Sequence, residues 1–254
     1  MLAEERRAIL LQRLKDNGYI EVTDVAPSLN VSAATVRRDL ECLAQEGLVT
    51  RTRGGAVLSV RSTTLELPYD VKRQRHIEEK RRIAAAAAEM VLDGETIILD
   101  AGSTTYELAL LLLHKRNLTV VTNDLQIAVK LASNPNINLV CTGGIARANV
   151  YTLLGPQVEA FLRTLRVNKT FLGADAIHPD GTIANVNLEE VAVKQAMVRA
   201  GEQVILLTDS SKFGIVGFAK VCDLSEVDVL ITDRGIPPAM LERLREAELT
   251  VELV

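Results

Sequence analysis

From about Glu78 onward, six short apolar runs alternate with helical patterns, and this alternation constrains the fold more than any other feature of the sequence. The runs cover 96–100, 118–122, 137–142, 170–173, 204–208 and 229–232. The helical stretches lie near 79–92, 105–114, 124–132, 156–165, 188–200 and 238–246. Apolar strands separated by helices belong in a mainly parallel sheet covered on both faces. With 48% hydrophobic residues in 254, the chain can bury such a core. The alanine run 84–88 sits in a helical pattern, where small side chains permit close packing.

Residues 1–58 follow a different pattern of three helices and a small β-hairpin. Leu10, Leu11 and Leu14 form one stripe of the first helix, which Asn17 and Gly18 end through a left-handed cap. Thr23 is expected to cap a second, short helix, with Pro27 near its first turn. Ser32 caps a third helix running to about Glu46, with Gly47 as its stop. Val36, Leu40 and Leu43 recur at i, i+4 and i+7 and face the core, which turns Ala33, Ala34, Thr35, Arg37 and Arg38 largely outward. Residues 59–77 lack periodicity, contain Pro68 and mix charges, as a linker does. The expected organisation is therefore a small winged helix-turn-helix domain (1–58), a linker (59–77) and a larger α/β domain (78–254).

Bulk charge carries little of the functional argument. Residues 1–82 hold 15 Lys+Arg against 12 Asp+Glu and the remainder 14 against 21, so a net +3 precedes a net −7. Within 1–58 the count is eight against eight. Any nucleic-acid reading must rest on where individual arginines stand. The basic residues Lys72, Arg73, Arg75, Lys80, Arg81 and Arg82 are expected to form a solvated helix surface, with added DNA-phosphate contacts as the weaker alternative. Cys42, Cys141 and Cys222 are widely spaced and odd in number, which argues for buried reduced thiols and against a disulfide framework or zinc site. His76, His114 and His178 lie in separate segments and suggest no metal or catalytic cluster. No run reaches the ~20 apolar residues of a membrane span, and the N-terminus opens on charge, so a soluble cytoplasmic protein without a cofactor is expected.

The third helix begins with Ser32, Ala33, Ala34 and Thr35, followed by Val36, Arg37, Arg38, Asp39 and Leu40. Small alanines allow close approach to a major groove, Ser32 and Thr35 can bond phosphates or base edges, and either Arg37 or Arg38 can fork onto guanine or phosphate. After it, residues 48–56 form a hairpin in which Gly54 and Gly55 make the turn and Arg51 and Arg53 share a strand face, giving a wing able to lie along the DNA backbone. A lone Arg-Arg pair is ordinarily a solvated surface feature, but the ordered pattern around this one reverses that reading. Here the chain resembles the DeoR family of bacterial regulators, with Arg53 where many relatives carry histidine and Pro27 inside the second helix. The resemblance implies a repressor.

Polar and glycine-rich loops follow the strands of the second domain, where ligands sit in parallel sheets. The clearest is Asp100, Ala101, Gly102, Ser103, Thr104 and Thr105: a glycine, then hydroxyls and N–H groups opening a helix, suited to phosphate. Asn123 and Asp175 can bond sugar hydroxyls, Gly143 and Gly144 keep room for a ligand, and Lys212 offers a cation. Glu190 and Lys194 join this set more weakly, since their i, i+4 spacing also makes a routine surface ion pair. These loops match the DeoR effector domain, so the resemblance covers nearly the whole chain, departing at Ala176 where relatives often have glycine. It implies a phosphorylated sugar or related ligand in a domain similar to ribose-5-phosphate isomerase.

That similarity raises a rival, an active sugar-phosphate isomerase fused to a DNA-binding domain, with Asp175, Glu189 or Glu190 as the base. The Lys-Gly-Gly-Gly stretch of such isomerases is not evident after Asp175, where Asp180, Gly181, Thr182, Ile183, Ala184 and Asn185 stand instead. The expectation is a binding cleft without catalysis, in a homodimer or homotetramer whose operator affinity responds to effector. An architectural DNA-binding protein would leave the strand-end loops unexplained.

Overall fold

The computed structural model describes residues 2–52, 54–58, 69–147, 150–246 and 249–254; Arg53 and the linker stretch 59–68 lie outside the described residues. The chain divides into two compact units, Met1–Lys72 and Arg73–Val254.

In the first unit, α1 (Ala3–Asn17) ends at Gly18, whose φ of 76° lets its N–H return to Leu14 O at 2.8 Å. Strand β1 (Tyr19–Glu21) runs directly into α2 (Val22–Ser28). Thr23 is therefore not the cap: Glu21 holds that position in extended conformation, and Val22 N–H donates to Gly54 O at 2.9 Å. With the helix starting early, Pro27 falls in its last turn rather than its first. Helix α3 (Ala33–Gln45) starts where Ser32 Oγ accepts the Thr35 N–H at 3.1 Å. Its Val36, Leu40 and Leu43 pack with Leu10, Leu14, Val49 and Leu58, and full burial of such a side chain contributes ~1.5–3 kcal/mol. Strands β2 (Val49–Arg51) and β3 (Gly55–Leu58) form the hairpin, and β1 adds to its far side in the antiparallel order β1-β3-β2.

Helix α4 (Tyr69–Gln74) lies inside the stretch read as linker, and α5 (Ile77–Glu89) follows from His76, a residue with φ 52°. The elements β4 (Thr96–Leu99), α6 (Ser103–Leu111), β5 (Leu118–Thr122), α7 (Leu125–Leu131) and β6 (Ile137–Cys141) come next. After β6 a short hairpin, β7 (Ile145–Ala146) and β8 (Leu153–Leu154), precedes α8 (Pro156–Arg163) and β9 (Val167–Gly173). Strands β10 (Ala176–Ile177) and β11 (Thr182–Asn185), helix α9 (Leu188–Ala200), β12 (Gly201–Leu207) and β13 (Ala219–Asp223) follow. The unit closes with β14 (Val229–Thr232), α10 (Pro238–Glu246) and β15 (Thr250–Leu253). Seven strands make one parallel sheet in the order β15-β14-β12-β9-β4-β5-β6: the six runs that the alternation predicts, and β15 on the edge, which it does not include. Its central strands are buried on both faces, Ile97, Ile98, Leu99, Phe171 and Leu172 being fully enclosed.

The alternation did not reveal the antiparallel sheet β10-β11-β13, because strands of two to five residues carry too little periodicity to stand out. Two surface expectations also change. Lys80 is buried and donates to Arg75 O at 2.6 Å, while Arg73 stacks 4.4 Å over the Tyr106 ring and, with Arg81, pairs with the buried Glu107. Part of the basic cluster is thus bound into the fold: α5 packs on α6 and brings Arg81 to Glu107, and Arg73 reaches the same carboxylate from α4. Of the cysteines only Cys222 is buried, and Cys141 is exposed at the end of edge strand β6. No helix among the described residues is long and apolar enough to cross a membrane.

Candidate functional site

On the first unit, α3 presents the residues picked from sequence. Ala34, Arg37 and Arg38 are exposed, Thr35 is half-buried, and Ala33 packs partly on the core. Ser32 and Thr35 share a hydroxyl contact of 2.9 Å that tightens the start of the helix. Among the described residues no ion pair engages the Arg37 or Arg38 guanidinium, so both remain available to an anion. Arg51 differs, because its Nη1 donates to Arg37 O at 2.9 Å and to Glu41 Oε2 at 3.2 Å, bracing the wing against α3. Asp39, which the sequence pattern passes over as another polar residue, is buried in a two-pronged ion pair with Arg6 of α1. Only the tertiary packing brings those two residues together, 33 positions apart. Gly55 proves to be a close-approach glycine: β1 passes so near that a Cβ there would stand 1.7 Å from Ile20 O.

In the second unit the sheet order reverses between β4 and β9, and the crevice beyond their carboxyl ends is where such folds bind ligands. Asp100, at the end of β4, accepts the Gly173 N–H at 2.9 Å and pairs with Lys194, which also donates to Gly173 O at 3.0 Å. Lys194 is 4% exposed, so its reading as half of a surface pair with Glu190 is corrected. Helix α9 lies against β9 and turns both side chains inward, where each finds a different partner. Burial disfavours the ammonium, but Asp100, Glu190 and Asp175 outweigh that, holding Lys194 above its ordinary pKa. This lysine ties the two sides of the switch point together.

The loop between β4 and α6 is held from beneath. Ala101 N–H donates to Asn123 Oδ1 at 3.0 Å and Gly102 N–H to Asp124 Oδ2 at 3.2 Å. The helical ladder starts with Tyr106 N–H on Gly102 O at 2.9 Å. Ser103, Thr104 and Thr105, all buried, therefore open α6 with N–H groups that have no carbonyl one turn back, the usual setting for a bound anion. Thr105 Oγ1 donates to Gly102 O at 2.9 Å. Asp175 Oδ2 accepts the Val186 N–H at 3.3 Å across the crevice end of β9. Lys212 sits half-buried in a single turn after β12, two strands from β4. Gly143 and Gly144 follow β6, three strands from β9 or about 14 Å at ordinary strand spacing. Both are exposed; a Cβ at Gly144 would press on Val158 and Leu154, so that position takes no side chain, while a Cβ at Gly143 would meet nothing within 4 Å.

What returns from β6 to the crevice is the β7–β8 hairpin. Leu153 N–H donates to Asn123 O at 2.7 Å and Leu125 N–H to Tyr151 O at 3.0 Å, so the segment lies across the end of β5. It delivers Arg147, whose Nη1 reaches Glu190 Oε1 at 3.1 Å. Arg147, Asn185 and Asp124 are polar residues of this region to which the sequence assigned no ligand-binding role. A polar strand-end loop marks Asp124 in hindsight, whereas Arg147 carries no local signal.

Asp124 has a titration of its own. Burial, the largest influence, lifts its pKa from 3.8 to about 6 against N–H bonds from Ile127, Gln126 and Gly102, and nearby Asp100 adds to the rise. Between those values the folded chain binds more protons than the unfolded one, so this group costs stability as pH rises through that window. Asp124→Asn is expected to lose less stability than the wild type between about pH 4 and about pH 6.5, by about 1–3 kcal/mol. Urea midpoints at both pH values measure this, and identical pH slopes in the two proteins would refute it.

A winged helix with two outward arginines, in one chain with a parallel α/β unit bearing a polar crevice, defines a transcription regulator of the helix-turn-helix class. The chain belongs to the DeoR family: residues 6–62 match the DeoR-like helix-turn-helix domain and residues 75–234 the DeoR C terminal sensor domain. It is 34% identical over 251 residues to the putative aga operon transcriptional repressor of Escherichia coli O157:H7, covering 98% of this chain and 93% of that one. It is 30% identical to the glycerol-3-phosphate regulon repressor of Escherichia coli K12, covering 100% of both. Ribose 5-phosphate isomerase from Plasmodium falciparum aligns with 54% of this chain and 52% of its own at 14% identity and a TM-score of 0.40, a likeness too slight to carry an activity. The relatives are named as regulators, and the isomerase rival is set aside. Glu190, one of its proposed bases, is occupied by Arg147 and by Asn185 Nδ2 at 2.6 Å, and Glu189 faces solvent.

Proposed function

We propose that this protein represses a carbohydrate catabolic operon and releases its operator when a phosphorylated sugar or related metabolite binds the sensor domain. The observation that carries the reading is the α6 start at the switch point, where Ser103, Thr104 and Thr105 present N–H groups and hydroxyls above the braced Gly102. The ligand's phosphate rests there, Asn123 and Asp175 flank its hydroxyls, and Lys212 supplies a cation from β12. Asp100 and Lys194 act as the strut beneath. The names of the two relatives, an aga operon repressor and a glycerol-3-phosphate regulon repressor, support this choice of ligand class.

Operator binding is assigned to α3, with Ser32, Ala33, Ala34, Thr35, Arg37 and Arg38 entering the major groove, and to the wing of Arg51, Arg53, Gly54 and Gly55. Paired half-sites call for a homodimer or homotetramer. Helix α6 offers a route for coupling, since it begins at the phosphate loop and one turn later carries Tyr106 and Glu107, which hold Arg73 at the start of the sensor unit. Linkage requires operator and effector to weaken each other's binding by the same factor.

Arg37→Ala and Arg38→Ala are each expected to weaken operator binding by ~1–3 kcal/mol, the base-reading arginine also relaxing sequence preference. Gel-shift titration of the upstream DNA, with and without a panel of sugar phosphates, tests both halves. Unchanged affinity in both variants removes the DNA assignment, and a shift that no sugar phosphate reverses removes the effector assignment.

A further inference from the structure

Asn185, at the end of β11, is 1% exposed, and its Oδ1 has no hydrogen-bond partner among the described residues. A buried acceptor left without a donor is costly, and such groups ordinarily await a water or a ligand. The amide cannot relieve this by turning over, because Nδ2 donates to Glu190 Oε2 at 2.6 Å and the flipped oxygen would face a carboxylate. The other oxygen of Glu190 takes Arg147 at 3.1 Å. Three side chains from β11, α9 and the β7–β8 segment thus meet at one place. Tyr151, which follows in the chain, adopts φ 59°, a region unfavourable to residues other than glycine.

The donors and acceptors of this cluster define what it can take. Asn185 Oδ1 accepts and Arg147 donates, with Glu190 holding both side chains in place, so the complementary group must donate and accept from neighbouring atoms. Adjacent hydroxyls do this. A second phosphate fits less well, because Lys194 and Arg147 are already paired with Asp100 and Glu190, which leaves no surplus positive charge to offset it.

We propose that Asn185, Glu190 and Arg147 form a hydroxyl-reading subsite that selects the sugar or polyol portion of the effector. The inference rests on the reading above that the phosphate sits at the start of α6. Selectivity thereby separates from phosphate affinity: α6 binds the common anion, and this subsite distinguishes one phosphorylated polyol from another.

Calorimetric titration of the full chain with inorganic phosphate and with three- to six-carbon sugar and polyol phosphates tests it, using wild type, Asn185→Ala and Arg147→Met. Wild type is expected to prefer its best sugar or polyol phosphate over inorganic phosphate by more than about tenfold. Each variant is expected to cut that preference about tenfold while changing affinity for inorganic phosphate less than about twofold. Should Asn185→Ala lose its fold, the half-buried Arg147→Met carries the test, with Arg147→Lys expected to restore part of the preference. Retained preference in a folded Arg147→Met overturns the subsite and leaves the phosphate reading standing, whereas equal loss of both ligands overturns the subsite by placing Arg147 at the phosphate itself. A wild type that binds neither inorganic phosphate nor any panel member overturns both.

Discussion

Gly55→Ala is expected to unfold the wing and abolish operator binding, while its neighbour Gly54→Ala leaves the fold intact. The Cβ of an alanine at 55 would lie 1.7 Å from Ile20 O, 2.8 Å from Ile20 C and 3.0 Å from Glu21 Cα, all of them backbone atoms with no rotamer to yield. Relief requires β1 to leave β3, whose pairing sets Glu21 opposite Gly55 and Ile20 opposite Ala56. Ile20 would then leave the core and the Val22 N–H bond to Gly54 O would break. Overpacking typically costs ~1–3 kcal/mol, and a backbone clash of this depth with loss of a strand should exceed ~3 kcal/mol. A Cβ at Gly54 meets nothing within 4 Å. Denaturation midpoints and gel shifts of the two variants decide the matter, and equal midpoints would show that β1 is free to move aside.

Lys194→Met is expected to destabilise the sensor domain by about 3–5 kcal/mol and to remove effector binding with it. The substitution keeps the length of the side chain but leaves Asp100, 1% exposed, without its ammonium and, among the described residues, with the Gly173 N–H alone in compensation. An unpaired buried carboxylate either takes up a proton or draws in water, and both displace the loop that opens α6. Because the penalty lies in the orphaned charge, Lys194→Met combined with Asp100→Asn should recover a large part of the loss. A double variant no more stable than Lys194→Met alone would place the cost in packing instead. Urea denaturation of the four proteins supplies the comparison.

The two regions differed in how much of their chemistry could be read in advance. The recognition helix was legible because its signals are local: Ser32 caps it, Val36, Leu40 and Leu43 set the face, and Arg37 and Arg38 follow on the opposite side. The start of the effector loop was legible for the same reason, since Gly102 and three hydroxyl residues are consecutive. Errors arose wherever a long-range neighbour overrode a local preference. Thr23 lost the cap to Glu21 because Gly54 O, just before β3, took the Val22 N–H, and Glu190 and Lys194 lost their mutual pairing because α9 delivered them to partners on other elements.

Alternating apolar runs and helix stripes determined by themselves that a parallel α/β domain follows a small helical one, since side-chain periodicity is a property of consecutive residues. Which loops share a crevice was decided only by the tertiary structure. Strand order places β9 beside β4 and β6 at the edge, so Asp100 meets Lys194 across 94 positions while Gly144 packs against Val158 instead of lining the switch point. The β7–β8 segment then carries Arg147 back to Glu190. Such encounters depend on sheet order and chain return, which the pattern of consecutive residues does not encode.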